Sequence, residues 1–177
     1  DGGRALGSKL TDADVVLFVD GERPVSEETL AGLLWACGRK WDVALNDLSR
    51  HGGLFRQRHK TEWLYEFMNA SLNRRDLMTN SLSVLPYALS RRALDTLGAP
   101  ALTVPAKAQA MAILRGLRIG AMGPGTPDGS RALRQADWRQ AAGDHAEAWS
   151  AAFQAGGKRL YFADRMRNRS VLGGKGP

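Results

Sequence analysis

The chain has little cysteine, few aromatic residues and no long apolar run. Cys37 is the one cysteine among 177 residues, which excludes an internal disulfide and predicts a reducing, cytoplasmic compartment. No stretch of about eighteen apolar residues occurs, so we expect no transmembrane segment. A chain of this length can bury one core without disulfides or metals. These features predict a single globular domain over residues 1–170, followed by a flexible, glycine-rich tail at 171–177.

Positive charge is in excess, with 25 lysines and arginines against 18 acidic residues and a formal net charge of +7. Such a balance predicts attraction to polyanions, among them diphosphates, nucleic acid and an anionic membrane surface, so peripheral membrane contact is one expectation. A nucleic-acid partner is disfavoured, because no helix-turn-helix, zinc-finger or aromatic sheet pattern occurs. The aromatic residues, 7% of the chain, are not interleaved with the basic runs either.

Strand and helix patterns alternate along the first part of the chain. The apolar run from Val15 to Asp20 predicts a buried central strand, in a sheet that is covered on both faces. Ser26, followed by two acids and an apolar stripe, predicts a helix start. Residues 41–45 predict a second, shorter strand. This alternation indicates the α/β class.

Further helices and one more strand are predicted downstream. Helices are expected at 62–72, from Ser90 to Gly98, from Pro105 to Gly116, and from Gly143 onward, with a short strand at 117–119 between the last two. The basic, glycine-containing segment from 51 to 60 is expected to be a loop.

Asp20 and Glu22 are the sharpest candidates for chemistry. They follow the first predicted strand, and open α/β sheets bind ligands outside the carboxyl ends of their strands. Two carboxylates one residue apart can hold Mg²⁺ or Mn²⁺ against a diphosphate, since both cations prefer oxygen ligands. The alternative is an ordinary turn, because Asp and Gly are common where a strand ends.

The segment Asp14-Val-Val-Leu-Phe-Val-Asp-Gly-Glu22 resembles the central part of family 2 glycosyltransferases, in which an apolar strand ends in an Asp-x-Asp type motif. Leu85-Pro-Tyr-Ala-Leu-Ser-Arg91 and Gly116-Leu-Arg-Ile119 are similar to later segments of that family, more weakly. The resemblance implies a GT-A-like, Rossmann-like mixed sheet flanked by helices. It also implies an inverting, metal-dependent transfer of a sugar from a nucleotide-diphosphate donor to a hydroxyl acceptor such as a glycan.

The chain departs from the family pattern in three places. Glu22 stands where a second Asp is usual, and both supply carboxylate oxygens. The strand and helix that hold the nucleotide base in that family are missing, which predicts an incomplete domain whose N-terminal portion lies elsewhere or on a partner chain. Residues 102–107 offer no carboxylate as base. Asp144 is therefore the candidate general base, with His145 orienting it or contacting phosphate, and Asp47 and Asp76 as weaker candidates.

Cations are needed near a departing diphosphate. The cofactor-binding candidates are Arg165, Arg167 and Arg169, whose planar guanidinium groups suit phosphate. A second basic group, Arg56, Arg58 and Lys60, is the alternative. Asp144 has a structural alternative as a helix N-cap, and the tryptophans are expected to be core residues or helix anchors, with Trp138 or Trp149 as a possible sugar platform.

Two other functions remain open from the sequence. One is a non-catalytic relative that keeps the fold as a binding or assembly subunit, since the base and the nucleotide-binding elements are not where the family has them. The other is a basic nucleic-acid-binding module, which the sequence pI of about 10.1 would suit.

Overall fold

Four short strands and six α-helices alternate in the computed structural model, which describes residues 2–49, 58–123, 137–157 and 159–162. The strands are β1 (Val15–Phe18), β2 (Val43–Asn46), β3 (Tyr87–Ser90) and β4 (Ile119–Met122). The helices are α1 (Gly2–Lys9), α2 (Glu27–Ala36), α3 (Lys60–Ser71), α4 (Arg91–Leu97), α5 (Pro105–Leu114) and α6 (Trp138–Gly156). Single 3-10 turns occur at Arg75–Leu77 and Ala99–Thr103.

The strands form one mixed sheet in the order β1-β3-β2-β4. β3 is antiparallel to both of its neighbours, whereas β2 and β4 are parallel. It follows that β1, β2 and β4 all run in the same direction and end at the same edge. The predicted α/β class with a mixed sheet flanked by helices is confirmed.

Side chains alternate between the two faces of the sheet, as the strand geometry requires. Val43, Leu45, Tyr87 and Leu89 pack on one face against α4 and α5, in a cluster that includes Phe18. Ala44 and Ala88 point to the other face and pack against α2. Helices therefore cover both faces, and α6 adds an outer layer by packing on α3 and α5 through small residues.

Local signals in the sequence account for several helix starts. The Ser26 hydroxyl accepts a hydrogen bond from the Thr29 amide at 3.3 Å and caps α2. Ser90 caps α4 in the same way, by accepting from the Ala93 amide at 3.2 Å. Pro105 occupies the first position of α5, where its missing amide hydrogen has no cost. These three starts were predicted from the sequence and are confirmed.

The position of β1 differs from the expectation of a central strand. β1 is an edge strand of the described sheet, hydrogen-bonded only to β3 among the described residues. Its first three residues are half-buried, and Val19 beyond it is exposed. The apolar run correctly predicts a strand whose two faces are covered by helices. Apolar side chains do not show how many neighbouring strands pair with it in the sheet, so they could not predict that β1 is an edge strand.

The last described helix begins earlier than expected. α6 starts at Trp138, and Asp137 is its N-cap, accepting a hydrogen bond from the Arg139 amide at 2.9 Å. Asp144 therefore lies inside the helix, so the N-cap alternative for that residue is wrong. None of the described helices combines the length and the apolar character needed to cross a bilayer.

Candidate functional site at the carboxyl edge

The carboxyl ends of β1, β2 and β4 define one edge of the sheet. Phe18, Tyr87 and Leu45 lie in register across three strands, and the rings of Phe18 and Tyr87 stack with centroids 5.0 Å apart. Asp20 and Asp47 each come two residues after this row. Because neighbouring strands lie about 4.8 Å apart and β3 intervenes, the two aspartates leave the sheet with their backbones roughly 10 Å apart.

Asp20 is half-buried just beyond β1, and Glu22 is exposed. One Asp20 oxygen accepts a hydrogen bond from the Glu22 amide at 3.0 Å, which makes a local turn. The other lies 3.4 Å from Arg23 Nε. The three cavities described below are lined by other residues. The two predicted metal ligands therefore lie in one turn, directly after β1 at the expected edge of the sheet.

Asp47 is held in place from below by a buried amide. Asn80 Oδ1 accepts from the Leu48 amide at 2.7 Å, and Asn80 Nδ2 donates to the Asp47 carboxylate at 3.2 Å. The Asn80 carbonyl accepts from Asn69 Nδ2, and Gln109 Nε2 donates to Asn69 Oδ1 at 3.1 Å. The three amide side chains are at most 2% exposed. This buried network fixes the segment that enters β3 and the carboxylate that follows β2.

Arg4 adds a positive charge near this edge. Its guanidinium lies 5.7 Å from the centre of the Tyr87 ring and donates to the Leu82 carbonyl at 3.2 Å. Burial raises the pKa of Tyr87 to about 12, which the nearby Arg4 partly opposes. The sequence contained no signal for this contact, since Arg4 and Tyr87 are far apart along the chain.

A cavity of about 210 Å³ is lined by Asp144, the predicted general base, and by His145, the residue predicted to orient it. Asp144 and His145 line it together with Tyr65, Ser83 and Pro105, and Asp137, Gln140 and Ala141 complete the wall. Tyr65 also packs with Leu48, the residue after Asp47, and with Val84. The cavity is therefore adjacent to the carboxyl edge, and Tyr65 joins the two.

His145 is buried and held by its own helix. It is 1% exposed, its ring stacks on Tyr65, and its Nδ1 bonds to the Ala141 carbonyl at 2.7 Å. This bond favours the tautomer with hydrogen on Nδ1, which leaves Nε2 as acceptor. Burial lowers the pKa of His145, while the Ala141 bond and the Asp144 charge oppose that shift. The imidazole is neutral near physiological pH.

Tyr65 stands between the cavity and the edge. Burial raises its pKa, and the charge of Asp144 raises it further, whereas a hydrogen bond with Ser83 acts in the opposite direction. The predicted pair Asp144 and His145 is thus part of a larger polar group that includes Tyr65 and Ser83. Neither Tyr65 nor Ser83 was a sequence candidate, because a tyrosine inside an amphipathic helix has the pattern of a core residue.

The other candidates have separate positions. Asp76 forms a two-point ion pair with Arg74, which also donates to the Ile119 carbonyl at the start of β4, so this carboxylate is tied to β4. Arg58 pairs with Glu66, and Lys60 begins α3 with its amine 4.4 Å from the centre of the Trp138 ring. Four of the predicted phosphate-binding arginines lie outside the described residues: Arg56, Arg165, Arg167 and Arg169.

Asp20 and Glu22 supply two carboxylates, which is fewer oxygen ligands than a divalent cation needs to complete its coordination shell. Within the described ranges, no cluster of three or more histidine, cysteine and acidic side chains is arranged to hold a metal ion. Mg²⁺ usually takes one or two carboxylates and completes its shell with water and substrate phosphates. The donor set of Asp20 and Glu22 fits a cation that arrives with a diphosphate.

Comparison with known proteins gives no further guide to these residues. The sequence matches no family model and no curated protein, and the structure matches no solved structure. The assignment of a function therefore depends on the geometry of the carboxyl edge and the cavity beside it.

Proposed function

We propose that this chain is the catalytic part of a GT-A-like glycosyltransferase, which transfers a sugar from a nucleotide-diphosphate donor to a hydroxyl acceptor such as a glycan. One observation carries the proposal: Asp20 and Asp47 follow parallel strands that end at one edge, and the cavity with Asp144 lies beside that edge. Ligands of open α/β sheets bind outside this edge.

The donor would lie over the turn after β1. Asp20 and Glu22 would hold a divalent cation, Mn²⁺ or Mg²⁺, together with the diphosphate oxygens. When bound, such a cation offsets the charge that develops on a leaving diphosphate. Arg23 lies beside Asp20 and Arg4 lies over the Tyr87 ring at the same edge, and Arg165, Arg167 and Arg169 remain candidates for the same task.

The acceptor would enter from the cavity beside Tyr65. In an inverting transfer, the acceptor oxygen bonds to the anomeric carbon, the bond from that carbon to the diphosphate oxygen breaks, and the acceptor proton moves to a base. Asp144 is our candidate base because its carboxylate lines the cavity. The buried, neutral His145 is a positioning residue, since it packs on Tyr65 and bonds to its own helix.

Calorimetric titration of the full chain tests the donor site. Nucleotide sugars built on uridine and guanosine diphosphates are titrated with and without Mn²⁺, against the native chain and Asp20→Ala. We expect binding that requires the metal and that falls at least about tenfold in the variant, the loss of one carboxylate ligand to a hard cation.

Asp14→Ala is the matched control. Asp14 is exposed and precedes the same strand at its opposite end, so this substitution removes the same charge far from the carboxyl edge. Donor affinity that is equal in Asp20→Ala and Asp14→Ala contradicts the proposal. Absence of binding by every donor favours the non-catalytic assembly subunit instead.

A further inference from the structure

An aromatic surface lies on α3 and α6, and none of its residues belongs to the proposed donor site. Six large aromatic side chains are exposed among the described residues, and five of them belong to α3, α6 or the segment after α6. We call this surface the aromatic face: Trp63, Phe67, Phe153 and Phe162, with Trp138 and Trp149 between them. The exposed Tyr161 precedes Phe162 in the chain.

Two neighbouring cavities make this surface continuous. One has a volume of about 470 Å³ and lies among Phe67, Trp149, Phe153 and Phe162. The other, of about 420 Å³, lies among Trp63, Phe67 and Trp138, so that Phe67 lines both. Phe67 and Trp149 meet edge to face with ring centroids 5.3 Å apart. Exposed apolar surface of this extent is typical of an interaction site.

Cations border the aromatic face, and none of the residues that line the two cavities is acidic. The Lys60 amine and the Arg139 guanidinium lie 4.4 and 5.2 Å from the centre of the Trp138 ring. Arg159 lines the larger cavity at the other end. The partner must therefore tolerate apolar contact and carry negative charge.

Within this chain, the next segment does not supply that negative charge. Residues 163–177 follow Phe162 directly and contain Arg165, Arg167, Arg169 and Lys175 against a single acid, Asp164. Their charge has the same sign as the border of the face. A second copy of the chain would likewise bring positive charge against positive charge.

We propose that the aromatic face binds the surface of a membrane that contains anionic lipid. Tryptophan, tyrosine, lysine and arginine side chains suit the boundary between headgroups and acyl chains, because each has an apolar body and a polar end. Anionic headgroups attract the bordering cations Lys60, Arg139 and Arg159. The inference is independent of any sugar transfer, since it uses neither Asp20 nor Asp144.

Vesicle flotation of the full chain tests this surface. We expect the chain to float with vesicles of phosphatidylcholine mixed with phosphatidylglycerol, to bind pure phosphatidylcholine weakly, and to dissociate as salt is raised. Lys60→Glu combined with Arg139→Glu should weaken binding at least about fivefold for each cation lost. Phe67→Ser and Phe153→Ser should each reduce the bound fraction as well.

Two substitutions elsewhere serve as matched controls. Trp35 is an exposed tryptophan on α2, and Lys9 is an exposed lysine on α1, so Trp35→Ser and Lys9→Glu should leave binding unchanged. Circular dichroism verifies folding, and the exposed Lys60 and Arg139 variants decide the result if a phenylalanine variant unfolds. Failure to bind anionic vesicles, equal loss in the controls, or a dimer in solution that Phe67→Ser dissociates would each overturn the proposal.

Discussion

The imidazole of His145 stacks on the phenol ring of Tyr65, with ring centroids 5.1 Å apart and planes inclined by 19°. Trp149 meets the same imidazole edge-on at 5.9 Å. A histidine in this position is easier to bury neutral than charged, because its surroundings offer aromatic surface and one carbonyl acceptor. Protonation of His145 would therefore disturb the packing of the cavity that His145 lines with Tyr65 and Asp144.

We predict that protonation of His145 makes the protein less stable in mild acid. The pKa of His145 in the folded state lies below its ordinary value of 6.5, so the unfolded chain binds the proton first as pH falls. The contribution of the neutral His145 to the free energy of unfolding is fully present above pH 6.5 and is lost as pH falls below that value. The loss is about 1.4 kcal/mol for each unit between the folded and unfolded pKa values.

Denaturant unfolding of the native chain and of His145→Phe, measured across this range, checks the prediction. The phenylalanine retains a stacked ring and removes the titration, so the slope of stability against pH should become flatter. Gln140→Ala, which alters the same cavity without a titrating group, should retain the native slope. An unchanged slope in His145→Phe would show that another group is responsible.

Gly120 is predicted to be intolerant of any side chain. A Cβ atom at this position would lie 2.0 Å from a ring carbon of Trp41, which packs flat against β4. Because the ring belongs to a packed cluster on the α2 face, Gly120→Ala should destabilise the fold by about 1–3 kcal/mol or more.

Gly143→Ala is the counterpart, since a Cβ atom there meets nothing within 4 Å inside α6. This substitution should stabilise the protein by about 0.5–1 kcal/mol through helix propensity alone. Thermal unfolding of the two variants should give shifts of opposite sign. A melting temperature for Gly120→Ala at or above that of the native chain would contradict the packing described.

The ion pair between Asp42 and Arg118 is predicted to stabilise the junction of β2 and β4. Asp42 is 2% exposed, and its carboxylate accepts hydrogen bonds from the Arg118 amide at 2.9 Å and from its guanidinium at 3.1 and 3.2 Å. Burial by itself would raise the pKa of Asp42, but the hydrogen bonds and charge of Arg118 hold it below 3.8.

Because this pKa is depressed in the folded state, the contribution of Asp42 is present above pH 3.8 and is lost as pH falls through the folded value. Asp42→Asn should therefore cost about 1–3 kcal/mol at neutral pH, and its curve should converge with the native one in acid. Asp95→Asn, an exposed acid on α4, is the control and should change stability by less than about 0.5 kcal/mol. Parallel curves for Asp42→Asn and the native chain would refute the role of the pair.

Asn80 is predicted to position Asp47. Asn80→Ala removes the acceptor of the buried Leu48 amide and the donor to Asp47, which should cost about 1–3 kcal/mol of folding free energy. Gln154→Ala, exposed on α6, should stay within about 0.5 kcal/mol. Amide exchange checks the local effect: the Leu48 amide should lose protection in Asn80→Ala, and full protection there would contradict the prediction.

Parts of the fold that are set by local interactions, between residues close together in the sequence, could be predicted from the sequence. Ser26, Ser90 and Pro105 predicted three helix starts, because capping and proline geometry act over a few residues. The strand at β1 was also readable, although the expected short strand at 117–119 proved to be Ile119–Met122. α1 had no strong signal, since its eight residues include three glycines.

Parts that depend on distant residues were not readable. The edge position of β1 and the antiparallel insertion of β3 depend on which strands pair, and the local pattern does not encode pairing. The same holds for the site: Asp144 and His145 were named, but Tyr65 and Ser83 join them only through tertiary packing. The buried amides of Asn69, Asn80 and Gln109 look like ordinary surface residues in the sequence.

The placement of β3 between β1 and β2 also sets the width of the opening at the carboxyl edge. Tyr87, the first residue of β3, lies between Phe18 and Leu45 in the register of the three strands, so Asp20 and Asp47 leave the sheet on either side of β3. A molecule that contacts both carboxylates therefore has to span the width of β3, roughly 10 Å between the two backbones. The strand order therefore sets a minimum length for any ligand that bridges the two carboxylates.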